Sequence, residues 1–117
     1  KSIAIGNPAD GYYGIKVCRE SEGGGEDVSD EEIVSAMRLL AETEGIFTET
    51  AGGVTVGVTK KLVEQGKIKP DDVTVICVTG NGLKTQEAIQ DSVPSPLQID
   101  SKFSSFQEMF AEQLEEA

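Results

Sequence analysis

The chain has no histidine and no tryptophan, and only two cysteines and four prolines among its 117 residues. Without histidine it lacks the commonest metal ligand and the commonest general base near neutral pH. Cys18 and Cys77 cannot build a disulfide framework or a cysteine-rich metal cluster, so no metal site is expected. Positive charge is also scarce, with ten basic residues against twenty-one acidic ones and a net charge of −11. That balance repels phosphate backbones and anionic bilayers, which argues against nucleic-acid or membrane partners. No apolar run approaches the roughly 20 residues needed to span a bilayer, and the N-terminal stretch has no signal-peptide pattern. The expectation is one soluble, cytoplasmic domain or part of one, since the length matches a single core and Lys1 stands where an initiator methionine would.

What is present is a pattern of alternating elements. SIAIGNPADGYYGIKVCRE reads as a strand end, a loop and a loosely periodic helix, and Val28 beyond the Gly23–Gly25 run suits a short edge strand. The clearest helix is VSDEEIVSAMRLLAETEG. Ser29 suits the N-cap, Glu32 completes a capping box, acids fill the first turn and Gly45 marks the stop. Its apolar stripe is Ile33, Met37 and Leu40, widened by Val34 and Ala41. IFTET is short, aromatic and β-branched, and reads as a strand. AGGVTVGVTKKLVEQGK is ambiguous, because Val54, Val56 and Val58 alternate while Val54, Val58 and Leu62 share one helix face. The glycine pair at its start and the helix formers after Lys60 favour a helix. VTVICVT then reads as a strand buried on both faces, with Cys77 inside it. Strands alternating with helices give an α/β fold with a largely parallel sheet. The C-terminal residues read as a proline-containing connector followed by an amphipathic helix with Phe106, Met109 and Phe110 on one side, suited to docking.

In such folds ligands bind beyond the carboxyl ends of strands. Two places qualify. At IFTET-AGGVT a glycine-led helix start would direct free N–H groups outward. At VICVT-GNG the glycines at 80 and 82 permit close approach, and Thr79 offers a hydroxyl. Tight strand-to-helix turns would explain the same glycines. Glu49 suits a cap or hydrogen-bond partner better than a general acid or base. Lys84 could form a Schiff base if desolvated, although an exposed loop lysine is the simpler reading. Tyr12 and Tyr13 could line a pocket or pack in the core. The acidic cluster Glu26, Asp27, Asp30, Glu31 and Glu32 lacks calcium-loop spacing and reads as a solvated helix start.

Three stretches together, AIGNPADG, DEEIVSAMRLLAETEGIFTETAGGVTV and VTGNGLKT, resemble the C-terminal part of the threonine synthase family. These are pyridoxal-phosphate enzymes of the tryptophan synthase β type, known as fold type II. The resemblance runs from about Ser2 to Ala88. It implies a three-layer α/β sandwich of which residues 1–90 are the C-terminal part of the cofactor-binding domain, with 91–117 a connector and terminal helix. It also implies conversion of O-phosphohomoserine and water to threonine and phosphate, with an amino-acid substrate and a homodimer left open. Thr79 falls on the family threonine that hydrogen-bonds the cofactor's pyridine nitrogen. A hydroxyl suits a neutral ring nitrogen, whereas a carboxylate would hold it protonated. No lysine here lies in the family's Schiff-base motif, so the resemblance assigns no catalytic residue to this chain, which alone should be inactive. ETAGG departs from the family's common proline and serine, with Thr50 and the glycines at 52 and 53 in their place. That departure keeps a cysteate synthase or an amino-acid dehydratase as alternative parents, and a non-enzymatic binding module on the same fold as another.

Overall fold

The computed structural model describes residues 3–111. In chain order it contains α1 (Gly11–Glu20), α2 (Asp30–Glu44), α3 (Thr50–Glu64), two 3-10 turns (Gly82–Ala88 and Gln90–Ser92) and α4 (Phe103–Met109). Helix α2 forms as its punctuation requires. The Ser29 hydroxyl accepts from the Glu32 N–H at 3.2 Å, and the Glu32 carboxylate accepts from the Ser29 N–H at 2.7 Å. Asp30, Glu31 and Glu32 lie in the first turn, where the exposed amide dipoles favour negative charge. Gly45 ends the helix in the left-handed region at φ 68°, a conformation that costs glycine nothing.

The core is the contact between α2 and α3. From α2 come Ile33, Ala36 and Met37, and from α3 come Val56 and the buried glycines at 52, 53 and 57. The alternating valines therefore form a helix. The four-residue spacing of Gly53 and Gly57 puts both on the face toward α2, so that the two backbones approach closely. A β-carbon on Gly53 would lie 2.7 Å from Met37 Cγ and 2.9 Å from the Ile33 carbonyl oxygen. Gly57 faces Val28 and Ala36. Val28 thus packs on α3 and does not form the edge strand its composition suggested.

The expected parallel sheet is absent among the described residues. Between α2 and α3, IFTET makes a single antiparallel bridge, Thr48 to Asn81, and its last residue already begins α3. Residues 73–79 have no regular structure, with Val73 95% and Val75 82% exposed, and Cys77 lies at the surface. The reason is that a strand is defined by its neighbours. β-branched residues favour an extended chain, but the ladder hydrogen bonds must come from another segment, and among the described residues no backbone hydrogen bond joins 73–79 to one. Residues 3–10 likewise show no strand before α1, and Ile3 and Ile5 are exposed. In α4 the rings of Phe106 and Phe110 lie 4.8 Å apart and that of Phe103 lies 6.3 Å from Phe106, so the expected aromatic side exists. Phe103, Phe106 and Met109 are exposed rather than docked, and the end of the expected helix, 112–117, lies outside the described residues. The Cα radius of gyration is 20.1 Å, against about 13 Å for a compact domain of this length.

Two predictions follow from the packing and the capping. Gly53→Ala adds helix propensity worth about 1 kcal/mol but forces a methyl into backbone, and overpacking of this kind costs about 1–3 kcal/mol. Thermal or denaturant unfolding of the protein should show a net loss. At Gly57 the one tight neighbour of an added β-carbon is a Val28 methyl at 3.2 Å, with Ala36 Cβ at 3.5 Å in ordinary contact, so Gly57→Ala should be neutral or mildly stabilising. The Ser29 N–H and then the Lys61 ammonium hold the Glu32 carboxyl below its ordinary range, and Glu32 in turn raises Lys61. A depressed carboxyl stabilises fully above its unfolded pKa and loses that contribution as pH falls through its folded value. The raised lysine contributes below its unfolded pKa and loses that contribution as pH rises through its folded value. The thermal midpoint should therefore hold at neutral pH and fall in acid, and Glu32→Gln should flatten part of the acid limb.

Candidate functional site

The segment between α2 and α3 and the segment 80–85 are joined into one junction. The Gly82 N–H donates to the Phe47 carbonyl at 3.0 Å, and the Glu49 N–H donates to the Gly80 carbonyl at 3.0 Å. The Thr48 hydroxyl donates to the same Gly80 oxygen at 3.1 Å. Asn81 fixes the following turn by accepting from the Leu83 N–H at 2.9 Å through its side chain. At the first turn of α3 the Glu49 side chain makes no cap. The Thr85 hydroxyl does so from across the junction, accepting from the Thr50 N–H at 3.2 Å. Thr85 is 2% exposed and Thr48 fully buried, so these hydrogen bonds are shielded from competition with water.

The glycines serve this close approach. A β-carbon on Gly80 would overlap the Glu49 carboxylate, one on Gly82 would lie 2.5 Å from the Phe47 ring, and one on Gly52 would collide with the Thr48 hydroxyl. Left-handed backbone is not the reason, because the glycines with positive φ are Gly45 and Gly66. At GNG the close approach is of the chain's own Glu49 and Phe47 side chains.

Glu49 is 5% exposed, and its Oε2 lies 2.7 Å from the Lys84 ammonium. The contact is an ion pair without hydrogen-bond alignment, so Oε2 and the neighbouring Thr50 hydroxyl are buried polar atoms with unfilled bonding capacity. Lys84 itself keeps 62% of its side chain exposed, and a solvated, ion-paired ammonium is a poor nucleophile. Thr79 stands immediately before this junction and is exposed.

The structure thus brings Glu49, Lys84 and the glycines at 80 and 82 together, with Thr79 at their edge. Tyr12 and Tyr13 do not join them; both are exposed on α1 and meet each other edge-on at 5.5 Å. The acidic cluster also lies elsewhere, and among the described residues no group of acids and cysteines has the arrangement of a metal site. A concavity of about 560 Å³ lies between α2 and α3. Its cations are already paired, Arg38 with Glu42, Lys60 with Glu64 and Lys61 with Glu32, and the remaining acid, Glu31, accepts from the Ser29 hydroxyl, so it offers no free cation to a ligand. Sequence reasoning missed Thr48 and Thr85. A threonine at the end of GNGLKT, where a helix start elsewhere lacks its own cap, was the available signal. No helix among the described residues is long and apolar enough to cross a membrane.

Residues 1–80 match the family model of pyridoxal-phosphate dependent enzymes. A threonine synthase of Bacillus sp. (strain ULM1) is 47% identical over 71% of this chain and 24% of its own length. The threonine synthase of Methanocaldococcus jannaschii is 40% identical over 85% of this chain and 24% of its own, and that of Mycobacterium tuberculosis 34% identical over 85% and 28%. The chain thus spans about a quarter of the length of these relatives. With the family-like stretches around IFTETAGG and TGNGLKT joined at one glycine-bounded junction, the chain belongs to the pyridoxal-phosphate dependent enzymes.

Proposed function

We propose that this chain is the C-terminal part of a threonine synthase, in which the intact protein converts O-phosphohomoserine and water to threonine and phosphate. The observation that carries the reading is the agreement of its relatives, threonine synthases from distant organisms that match 71–85% of the chain. Residues 1–90 then contribute to the cofactor domain, and 91–117 form a connector and terminal helix. Residues 73–79 become a strand of the family's parallel sheet once upstream strands lie beside them, which would cover Val73 and Val75 and satisfy the amides between them. A cytoplasmic setting suits the free thiols of Cys18 and Cys77.

Thr79 is the residue of this chain that would hold the cofactor, through a hydrogen bond from its hydroxyl to the ring nitrogen. Three features fit the group. Thr79 is exposed, so its hydroxyl is open to a ligand. The residue after it, Gly80, is anchored by two hydrogen bonds to its carbonyl, so the position of Thr79 is defined. The nearby carboxylate of Glu49 is buried and paired with Lys84, which leaves a neutral donor to meet the ring. When bound, pyridoxal phosphate supplies an electron sink for charge developing on the amino-acid substrate. The hydroxyl's part is to orient the ring and to leave its nitrogen unprotonated, which weakens the sink compared with a carboxylate partner. The Schiff-base lysine is assigned to the remainder of the intact protein.

In the intact protein, release of phosphate and threonine from O-phosphohomoserine should depend on added pyridoxal phosphate, and a protein that takes up no cofactor would sink the reading. Thr79→Val preserves shape and removes the donor. It should weaken cofactor affinity or turnover by about 1–3 kcal/mol, the cost of an unpaired buried partner. Unchanged affinity and kinetics would remove Thr79 from the site.

A further inference from the structure

We infer that Glu49 and Lys84 form a clamp that positions Thr79, so that Lys84 acts on cofactor binding from outside the cofactor's contact shell; the inference rests on the reading of Thr79 given above.

Glu49 is an unusual residue to bury. It is 5% exposed, makes no cap for the helix it precedes, and has one carboxylate oxygen without an aligned hydrogen bond. A desolvated charge is retained only where something compensates it. Here the compensation is the Lys84 ammonium at 2.7 Å, together with the positive end of the 15-residue helix α3. A β-carbon on Gly80 would overlap the carboxylate, so the carboxylate rests directly on the Gly80 backbone. Consecutive α-carbons are about 3.8 Å apart, so whatever fixes Gly80 also fixes Thr79.

The segment 80–84 is therefore held at both ends. At Gly80 the carbonyl takes hydrogen bonds from the Glu49 N–H and the Thr48 hydroxyl. At Lys84 the side chain reaches back to the Glu49 carboxylate, and the Lys84 N–H donates to the Asn81 carbonyl at 3.1 Å. One residue, Glu49, anchors both ends, by its backbone at one and its carboxylate at the other. Removing the ammonium leaves a buried bare carboxylate against Gly80. The carboxylate relieves itself by turning toward water, which displaces the backbone that carries Thr79. Removing the carboxylate's charge instead leaves an exposed lysine, which water solvates at little cost. Loss of the lysine should therefore do more harm than loss of the acid, and the double change should recover part of it.

The test is the dissociation constant of pyridoxal phosphate from the intact apoprotein, measured by equilibrium ultrafiltration for single and combined variants. Lys84→Met should weaken binding roughly tenfold or more, equivalent to about 1.4 kcal/mol. Glu49→Gln should weaken it less, the pair Glu49→Gln with Lys84→Met should bind better than Lys84→Met alone, and Lys84→Arg should bind nearly as wild type. Because the clamp acts through Thr79, Lys84→Met should add no further loss in a Thr79→Val background. Unchanged binding by Lys84→Met, a fall in thermal stability alone, or fully additive losses with Thr79→Val would each overturn the clamp. If Thr79→Val weakens binding while Lys84→Met does not, the clamp fails and the assignment of Thr79 stands. A protein that takes up no cofactor at all overturns both.

Discussion

The carbonyl of Gly80 accepts from a backbone amide and a buried hydroxyl on the same short segment, Thr48 to Glu49. This doubly bonded oxygen ties the end of an exposed stretch to the start of α3, thirty-odd residues earlier in the chain. Much of the local arrangement depends on it. It requires glycine at 80, because the Glu49 carboxylate occupies the space of a side chain, and it brings Gly82 against the Phe47 ring and Thr85 against the Thr50 amide. The position of α3 is set in turn by α2, whose Ile33 and Met37 leave room only for a glycine at 53. Close packing between two helices thereby fixes the start of α3, to which the 80–85 segment is bonded.

Charge in this protein is abundant but mostly inconsequential for stability. The pairs Lys16–Glu20, Arg38–Glu42 and Lys60–Glu64 are exposed neighbours on one helix turn, and such pairs contribute little. Lys61 differs because it links elements. It bonds the Asp27 carbonyl and the Glu32 carboxylate, and so ties α3 to the residues that start α2. Lys67–Glu26 and Glu49–Lys84 also join distant stretches, and among these cross-links of the described residues Glu49 has the carboxylate most excluded from water. In a chain with twice as many acids as bases, the lysines that cross between segments, Lys61, Lys67 and Lys84, matter more than their number suggests.

The sequence was legible where structure is decided locally. Ser29, Glu32 and Gly45 specify the ends of α2 through hydrogen bonds and backbone conformation within a few residues, and both ends are where those residues place them. Helix α3 was harder, because its valines alternate like a strand, while the glycines at 53 and 57 let it pack as a helix against α2. The strands were not legible in the same way. Val73 to Thr79 has the composition of a buried strand, but a strand's hydrogen bonds belong to its neighbours, and composition carries no information on whether those neighbours are at hand. The junction was half legible. Gly80 and Gly82 announced a close approach, and Thr79 was marked by resemblance. The hydrogen bond from Thr50 to Thr85 and the ion pair from Glu49 to Lys84 each span 35 residues, so no local spacing rule reaches them.

Thr79 occupies an asymmetric position. On its C-terminal side the chain is tied down by buried hydrogen bonds and an ion pair; on its N-terminal side Val73 to Val78 makes no regular structure among the described residues. If Thr79 meets the cofactor ring as proposed, its hydroxyl needs its backbone fixed to a fraction of an ångström. One side of that requirement is met within this chain. The other would come from sheet pairing of residues 73–79, whose exposed valines and isoleucine are the side chains that such pairing would bury. On the proposed reading the same apolar run would serve both stability and site geometry, because the strand that closes the core would also complete the placement of Thr79.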